Sequence, residues 1–318
     1  MVLLLGHTGY VGNEFARELA RRSIPFEGLS RQTFDYSDFE SLYRRLRERR
    51  PTFLINAAGY TGKPNVDACE GAPADTLAGN TLLPQTIAHA CAAAEVPWGH
   101  VSSGCIYTGA RIRQPDGSFQ VEPDLTREEV RRIVESEPDR VEGFRETDEP
   151  NFSFRNGPCS FYSGTKALGE EAIAGLGRSY LWRLRIPFDE RDHTRNYLSK
   201  VQRYAKVYDN VNSISHLGDY VRACLDLWDI RAPFGIYNVT NPGFVTTRQV
   251  IEAIERELLP GRMFEFWSSD GEFYRLAAKA LRSNCVLDTS KILCAGVVIR
   301  GVEDAVTDAL RRWTPERA

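Results

Sequence analysis

The apolar residues of this chain gather in short segments, each followed by a turn-rich stretch and then by helical periodicity. Val2-Leu3-Leu4-Leu5, Ile24 to Leu29, Phe53-Leu54-Ile55, Trp98 to Val101 and Tyr180 to Ile186 are such segments, and Val2 to Leu5 is a continuous apolar run. A continuous run of that kind suits a central parallel strand buried on both faces. Between them, residues such as Phe15, Leu19 and Ala20 recur at helical spacing, and 73–95 reads as one long helix. Strands alternating with helices predict an α/β fold, here a Rossmann-type doubly wound parallel sheet. After Pro187 the texture changes. Asn196 to Tyr204, Thr247 to Leu258 and Glu303 to Arg311 read as helices, and Gly235 to Val239 as a strand returning to the sheet. The polar stretch 108–150, with one helix from Leu125 to Glu135, reads as an insertion over the site.

The turns between these elements carry the candidate chemistry. The first strand runs into Gly6-His7-Thr8-Gly9-Tyr10-Val11-Gly12 and then a helix. Strand, glycine turn and helix form the context in which a dinucleotide pyrophosphate meets backbone N–H groups at a helix N-terminus. Gly6, Thr8, Gly9, Tyr10, Val11 and Gly12 are therefore cofactor-binding candidates. Ser30-Arg31 ends the second strand. An acidic residue there suits a free ribose 2′-hydroxyl, whereas an arginine suits a 2′-phosphate, so NADP(H) is favoured over NAD(H). Asp35 suits either the adenine amino group or a helix cap. Asn56-Ala57-Ala58-Gly59 follows the third strand. Its small residues let backbone approach the cofactor, with Asn56 able to tie neighbouring strands and Tyr60 following.

Ser102-Ser103-Gly104-Cys105 sits at the C-terminal end of the fourth strand, the sheet edge where ligands bind. On an extended segment Ser103 and Cys105 would share a face, one offering a hydroxyl to a carbonyl and the other a thiol. Tyr162 and Lys166 are four apart on a helix and so share a side. A lysine charge there would lower the phenol's pKa and make it a proton donor near neutral pH.

Composition narrows the class without naming it. The 318 residues, 42% hydrophobic and 26% charged with a net charge of -3, are those of a soluble globular protein with no nucleic-acid signature. Arg44, Arg45, Arg47, Arg49 and Arg50 read as a solvated helix face. Seven cysteines without a C-x-x-C pair suggest reduced thiols in the cytoplasm, and neither a zinc site nor a disulfide framework. Met1 to Leu5 is too short for a signal peptide or membrane span.

Together these residues resemble the extended short-chain dehydrogenase/reductase family. Asn56 to Asp67, Gly104-Cys105-Ile106, Phe161-Tyr162-Ser163 with Thr165-Lys166-Ala167, Asn238 with Thr240 to Gly243, and Arg282-Ser283-Asn284 are most similar to plant-type nucleotide-rhamnose synthases, which are 3,5-epimerase/4-reductases. The dTDP-4-dehydrorhamnose reductases are also similar. The resemblance implies Ser103, Tyr162 and Lys166 as the reductase triad. It makes Cys105 the group that moves protons at C3 and C5, and Lys200 its acid partner and source of charge. His193 and His216 read instead as loop and structural residues. Lys63, Asn65, Asn80, Asn196 and Arg282 are the substrate-binding candidates, a cation suiting the diphosphate and the amides suiting sugar hydroxyls or the base. Residues 1–186 then read as the NADP-binding domain, with a sheet return near 207–242, and 187–318 as mainly a smaller substrate lobe. The expected partner is a nucleotide sugar, a homodimer being allowed and no nucleic acid or membrane expected. A reductase without epimerase activity, a GDP-linked substrate, and a non-catalytic regulatory subunit that keeps the cofactor are the alternatives.

Overall fold

The computed structural model describes residues 1–315. Six strands, β1 (Val2–Leu5), β2 (Phe26–Leu29), β3 (Phe53–Asn56), β4 (Trp98–Ser103), β5 (Ser179–Leu184) and β6 (Gly235–Asn238), form one sheet in the order β6-β5-β4-β3-β1-β2. All of its pairs are parallel. The side-chain period of two divides the strands' apolar residues between two cores. Val2 and Leu4 enter one core with Phe53, Ile55, Tyr180 and Trp182, while Leu3 and Leu5 enter the other with Leu54, Trp98 and Leu181.

Helices cover both faces. Phe15 and Leu19 of α1 (Tyr10–Arg21) pack on the first core with a helix at Leu217–Asp229. Leu42 and Leu46 of the helix Phe39–Arg49 pack on the second, with Leu83 and Ile87 of Leu83–Ala93 and Ile173 of α2 (Phe161–Ile173). The chain crosses from β2 to β3 over β1, so the switch point lies between β1 and β3, beside the ends of β4 and β5.

Two expectations are corrected and a third is extended. The helix read over 73–95 is broken into Pro73–Leu77, a π-turn at Ala78–Leu82, and Leu83–Ala93. The π-turn brings backbone against its neighbours: a Cβ on Gly79 would lie 2.8 Å from Tyr60 Cβ, and one on Gly169 would lie 2.2 Å from Asn80 O. The insertion is folded. Phe119–Glu122, Ala110–Arg113 and Val141–Glu142 form an antiparallel sheet with a helix at Glu128–Ser136. Its core, including Ile112, Val130 and Val134, is shared with Val211 and Val286 from the second half of the chain. Of the expected 207–242 return only β6 joins the main sheet, since Lys206–Val207 pairs with Glu265–Phe266. A separate core joins Phe188, Leu198, Val207, Ile251, Val306 and Leu310.

Candidate active site

The turn from β1 into α1 has the form a pyrophosphate site needs. Gly6 holds φ at +75°, and a Cβ on Gly12 would stand 2.1 Å from Gly6 O, so only glycines let the helix start this close to the strand. Gly9 caps α1 without a side-chain bond, and the first turn carries no acidic residue. Its backbone N–H groups are thus left for an anion. Thr8 is exposed and Val11 leans on the core. The Tyr10 ring stacks on His193, 4.7 Å between centroids, and its phenol faces buried Asp189. Burial raises the phenol, the Asp189 charge adding to it, and burial also pushes the Asp189 carboxyl up to about 6.

At the end of β2, Ser30 is buried and lies 3.3 Å from Thr33 Oγ1, while Arg31 is exposed. Asp35 caps its own turn, accepting from Ser37 N at 3.0 Å and from the Ser37 hydroxyl, which is the local alternative for that residue. Asn56 does tie strands together. Its Nδ2 lies 3.0 Å from His100 Nδ1 on β4, and its Oδ1 accepts from Ala58 N at 3.0 Å. Beside it Gly59 is tight: an added Cβ would lie 3.4 Å from Asn80 Oδ1 and 3.6 Å from Lys166 Nζ. These features fit a dinucleotide along Gly6–Gly12, Ser30–Arg31, Asn56–Tyr60 and Lys166.

Ser103, Tyr162 and Lys166 meet at this edge. Ser160 caps α2 by accepting from Ser163 N at 3.1 Å, which starts the helix one residue before Tyr162 and sets its phenol beside Ser103 and Cys105. Ser103 Oγ also accepts from Cys105 N at 3.1 Å. Lys166 Nζ donates to Val101 O at 3.3 Å. The expected lowering of the phenol's pKa by Lys166 is overturned. Both groups are buried, and burial disfavours phenolate and ammonium alike. Burial therefore raises the Tyr162 phenol and pushes the Lys166 ammonium down to about 8.

Cys105 does not lie on an extended strand. Gly104–Ile106 is a 3₁₀ turn, so the shared-face argument from alternation fails, and Ser103 and Cys105 are instead joined by the hydroxyl-to-amide bond. The cation touching the thiol is Arg185, whose Nη1 lies 3.1 Å from Sγ. The expected source of that charge, Lys200, is half-buried near Arg195 and Arg282. Burial first, and these two cations second, lower its ammonium.

The substrate candidates divide. Asn196 is fully buried as the cap of Tyr197–Arg203, its Oδ1 accepting from Leu198 N and its Nδ2 bound to Asp189 and Arg191 O. Asn80 is equally committed, clipping Tyr60 N and O at 2.9 Å each. Both hold loops in place and have no amide to spare for a sugar. Asn65 accepts from Asp67 N at 2.8 Å, and Lys63 is exposed. Arg282 forms a two-pronged pair with Asp67 at 2.7 and 2.8 Å. Asp67 also accepts from Ala280 N at 2.8 Å and Lys279 N at 3.2 Å, and Arg195 donates to Gly62 O at 2.7 Å. Arg195, Lys200 and Arg282 thus group near the Gly62–Asp67 loop. His216 caps a helix through Asp219 N, as expected of a structural residue.

The sequence reading passed over Asp67, Arg185, Arg195 and the buried pair Arg183–Glu170, 2.7 Å apart. A groove of about 670 Å³ between Val134, Pro138, Gly243 and Asp304 is lined by none of the candidate residues.

The model of the RmlD substrate binding domain matches residues 1–313. Over 292 residues, 91% of this chain, it is 31% identical to the Arabidopsis thaliana trifunctional UDP-glucose 4,6-dehydratase/UDP-4-keto-6-deoxy-D-glucose 3,5-epimerase/UDP-4-keto-L-rhamnose-reductase RHM2, spanning 38% of that protein's length. It is 28% identical to the bifunctional dTDP-4-dehydrorhamnose 3,5-epimerase/dTDP-4-dehydrorhamnose reductase of the same plant, covering 91% of this chain and 85% of the relative. Among solved structures, the L780 UDP-rhamnose synthase of Acanthamoeba polyphaga mimivirus superposes with a TM-score of 0.81 over 98% of both chains at 21% identity. A Bacillus anthracis dTDP-4-dehydrorhamnose reductase in complex with NADP superposes at 0.74 over 98% of this chain and 97% of its own, at 16% identity.

Proposed function

Because the chain belongs to the RmlD substrate-binding-domain family, we propose that it is an NADPH-dependent 3,5-epimerase/4-reductase that turns a dTDP- or UDP-linked 4-keto-6-deoxyglucose into the L-rhamnose nucleotide. One observation carries the reading. The Tyr162 phenol, the Ser103 hydroxyl and the Cys105 thiol stand at the same strand end, the last two joined by the bond from Cys105 N to Ser103 Oγ. The names of the plant relatives pair the same two activities, and the NADP complex of a structural relative supports the cofactor.

Gly6 to Gly12 and the open N-terminus of α1 would hold the pyrophosphate, Ser30 and Arg31 the 2′-phosphate, and Lys166 the ribose. NADPH, when bound, supplies a hydride to C4. Since Ser103 Oγ accepts from a backbone amide, its own proton remains free to bond the C4 oxygen. Tyr162 gives its proton to that oxygen as the alkoxide develops, an acceptor more basic than even a raised phenol. In the other half, the 4-ketone acidifies the hydrogens on C3 and C5. At each carbon in turn the Cys105 thiolate removes the proton and the Lys200 ammonium, whose burial eases proton release, delivers one to the opposite face; exchange with solvent restores thiolate and ammonium between the two. Lys63 and Arg282 are offered for the diphosphate, and Asn65 for the sugar or base. Residues 1–186 serve the cofactor and 187–318 mainly the substrate.

Turnover in heavy water tests this. Two solvent deuterons, at C3 and C5, are expected in the product; NADPH oxidation with none would leave a plain reductase. Cys105→Ser should lose the exchange yet oxidise NADPH with a pre-epimerised substrate. A thermal-shift screen of dTDP, UDP, GDP and CDP with NADP present assigns the nucleotide.

A further inference from the structure

Resting on the epimerase reading, we infer that Arg185 is the positioning residue that keeps Cys105 as a thiolate, and that the substrate-side segment around Ser283 aims it. The register sets the contact. Ser103 on β4 pairs with Leu184 on β5, so the residue after each strand end, Arg185 and the turn bearing Cys105, face each other. Arg185 is 1% exposed. Nη1 lies 3.1 Å from Cys105 Sγ and 3.1 Å from Ser283 Oγ. Nη2 donates to Ser283 O at 2.6 Å and to Asn212 Oδ1. The backbone is fixed as well, with Arg185 N donating to Ser215 Oγ at 3.2 Å and Ser215 N donating to Arg185 O at 2.8 Å.

The decisive contrast is with Arg183, two residues earlier on the same strand. Arg183 is equally buried, and Glu170 neutralises it at 2.7 Å. The hydrogen-bond acceptors around Arg185 include no carboxylate: they are two serine atoms, an asparagine oxygen and a thiol sulfur. A buried guanidinium without a counter-charge is costly, and the only one of these four atoms able to take a negative charge near neutral pH is the sulfur. The ionisable groups facing that sulfur from other elements are Tyr162 and Lys166 of α2 and Cys285. Tyr162 and Cys285 are both raised by burial and so stay neutral. The fork geometry matters as much as the charge, because a lysine cannot reach Sγ, Ser283 and Asn212 together.

The test follows iodoacetamide alkylation of the Cys105 peptide by mass spectrometry across pH, in a Cys294→Ser background with cofactor-free protein whose fold is checked by circular dichroism. Arg185→Met should move the alkylation midpoint alkaline by about 1 unit or more, the size of shift a close opposite charge supplies. Ser283→Ala keeps the arginine but removes one of the two partners that hold Nη1 in place, so it should shift the midpoint the same way by less, and it guards against misfolding of the first variant. The half-maximal pH of solvent-deuterium exchange should follow. Unmoved midpoints in both folded variants overturn the inference. Shifted midpoints in a protein that shows no exchange on any 4-keto nucleotide sugar overturn the epimerase reading and leave the charge pairing standing.

Discussion

Lys166 offers the sharpest quantitative test, because the residue that serves the chemistry should destabilise the fold. Only 5% of it is exposed, and its ammonium donates to Val101 O at 3.3 Å. Burial pushes its pKa from 10.5 to about 8, the charge on Glu170 opposing the shift. That difference corresponds to about 3 kcal/mol at 1.36 kcal/mol per unit. Below pH 8 the lysine is charged in both states and the whole penalty is present. Between pH 8 and 10.5 the unfolded chain binds more protons than the native one, so stability climbs with pH as the penalty is relieved. Lys166→Met removes the charge while keeping most of the volume. It leaves Val101 O unpaired, which costs about 1 kcal/mol. The variant should therefore be about 2 kcal/mol more stable than the parent at pH 7, with that advantage vanishing by pH 10. Urea unfolding of the cofactor-free proteins at both pH values reads this directly, and NADPH oxidation should fall in the same variant. A variant no more stable at pH 7, or an advantage that does not shrink with pH, would refute the burial argument.

Tyr162→Phe should leave the circular dichroism spectrum unchanged and lower kcat for NADPH oxidation by about 10²- to 10⁴-fold, the range for losing a positioned proton donor. Arg31→Ala should raise KM for NADPH by about tenfold or more, a charge-assisted bond's worth, while leaving KM for NADH within a factor of about two. The Asp67 carboxyl is held below its ordinary value, burial opposing and Arg282 and the Ala280 and Lys279 amides prevailing. A depressed carboxyl contributes stability above its unfolded value, about pH 4, and loses it as pH falls through the folded value. Hydrogen exchange at 279–282, corrected for intrinsic rates, should accelerate as pH falls below about 4, and Asp67→Asn should show the faster exchange already at pH 7.

The sheet was readable because its strands are short apolar-rich segments, continuous at Val2–Leu5, that alternate with helical periodicity, and Tyr162 with Lys166 because the helical period alone puts them together. Other features had local signals that went unused. Asn196 directly precedes a helix, the position of a cap, and Asp116-Gly117 marks the hairpin between Ala110–Arg113 and Phe119–Glu122, with φ at +83° on Gly117. Arg185 had none. In Trp182-Arg183-Leu184-Arg185 the two arginines look like the polar positions of one strand, and what separates them is distant: Glu170 for the first, Asn212 and Ser283 for the second, the last 98 residues away. The break at Ala78–Leu82 was hidden for the same reason, since Tyr60 and Gly169 dictate it. The phenol's pKa was misjudged because spacing reveals a neighbouring charge but not the burial that outweighs it.

The two halves of the proposed reaction draw on different parts of the chain. Ser103, Tyr162 and Lys166, with their supports Val101, Ser160 and Cys105 N, all lie within residues 101–166 and stand on the sheet and α2. The sulfur of Cys105 is instead held from 185, 212 and 283, and the 283–287 segment is laced to the turn below it: Ser283 Oγ donates to Tyr107 O, Gly109 N donates to Asn284 O at 2.7 Å, and Val286 N donates to Gly109 O at 3.1 Å. A change at Asn212 can therefore alter the thiol through Arg185 while removing no hydrogen bond of the reductive set. The reverse does not hold. Ser103 Oγ binds Cys105 N, so any displacement of Ser103 carries the thiol's backbone with it. On this architecture proton transfer at C3 and C5 can be lost while reduction survives, and the loss of reduction by displacement of Ser103 takes the proton transfer with it.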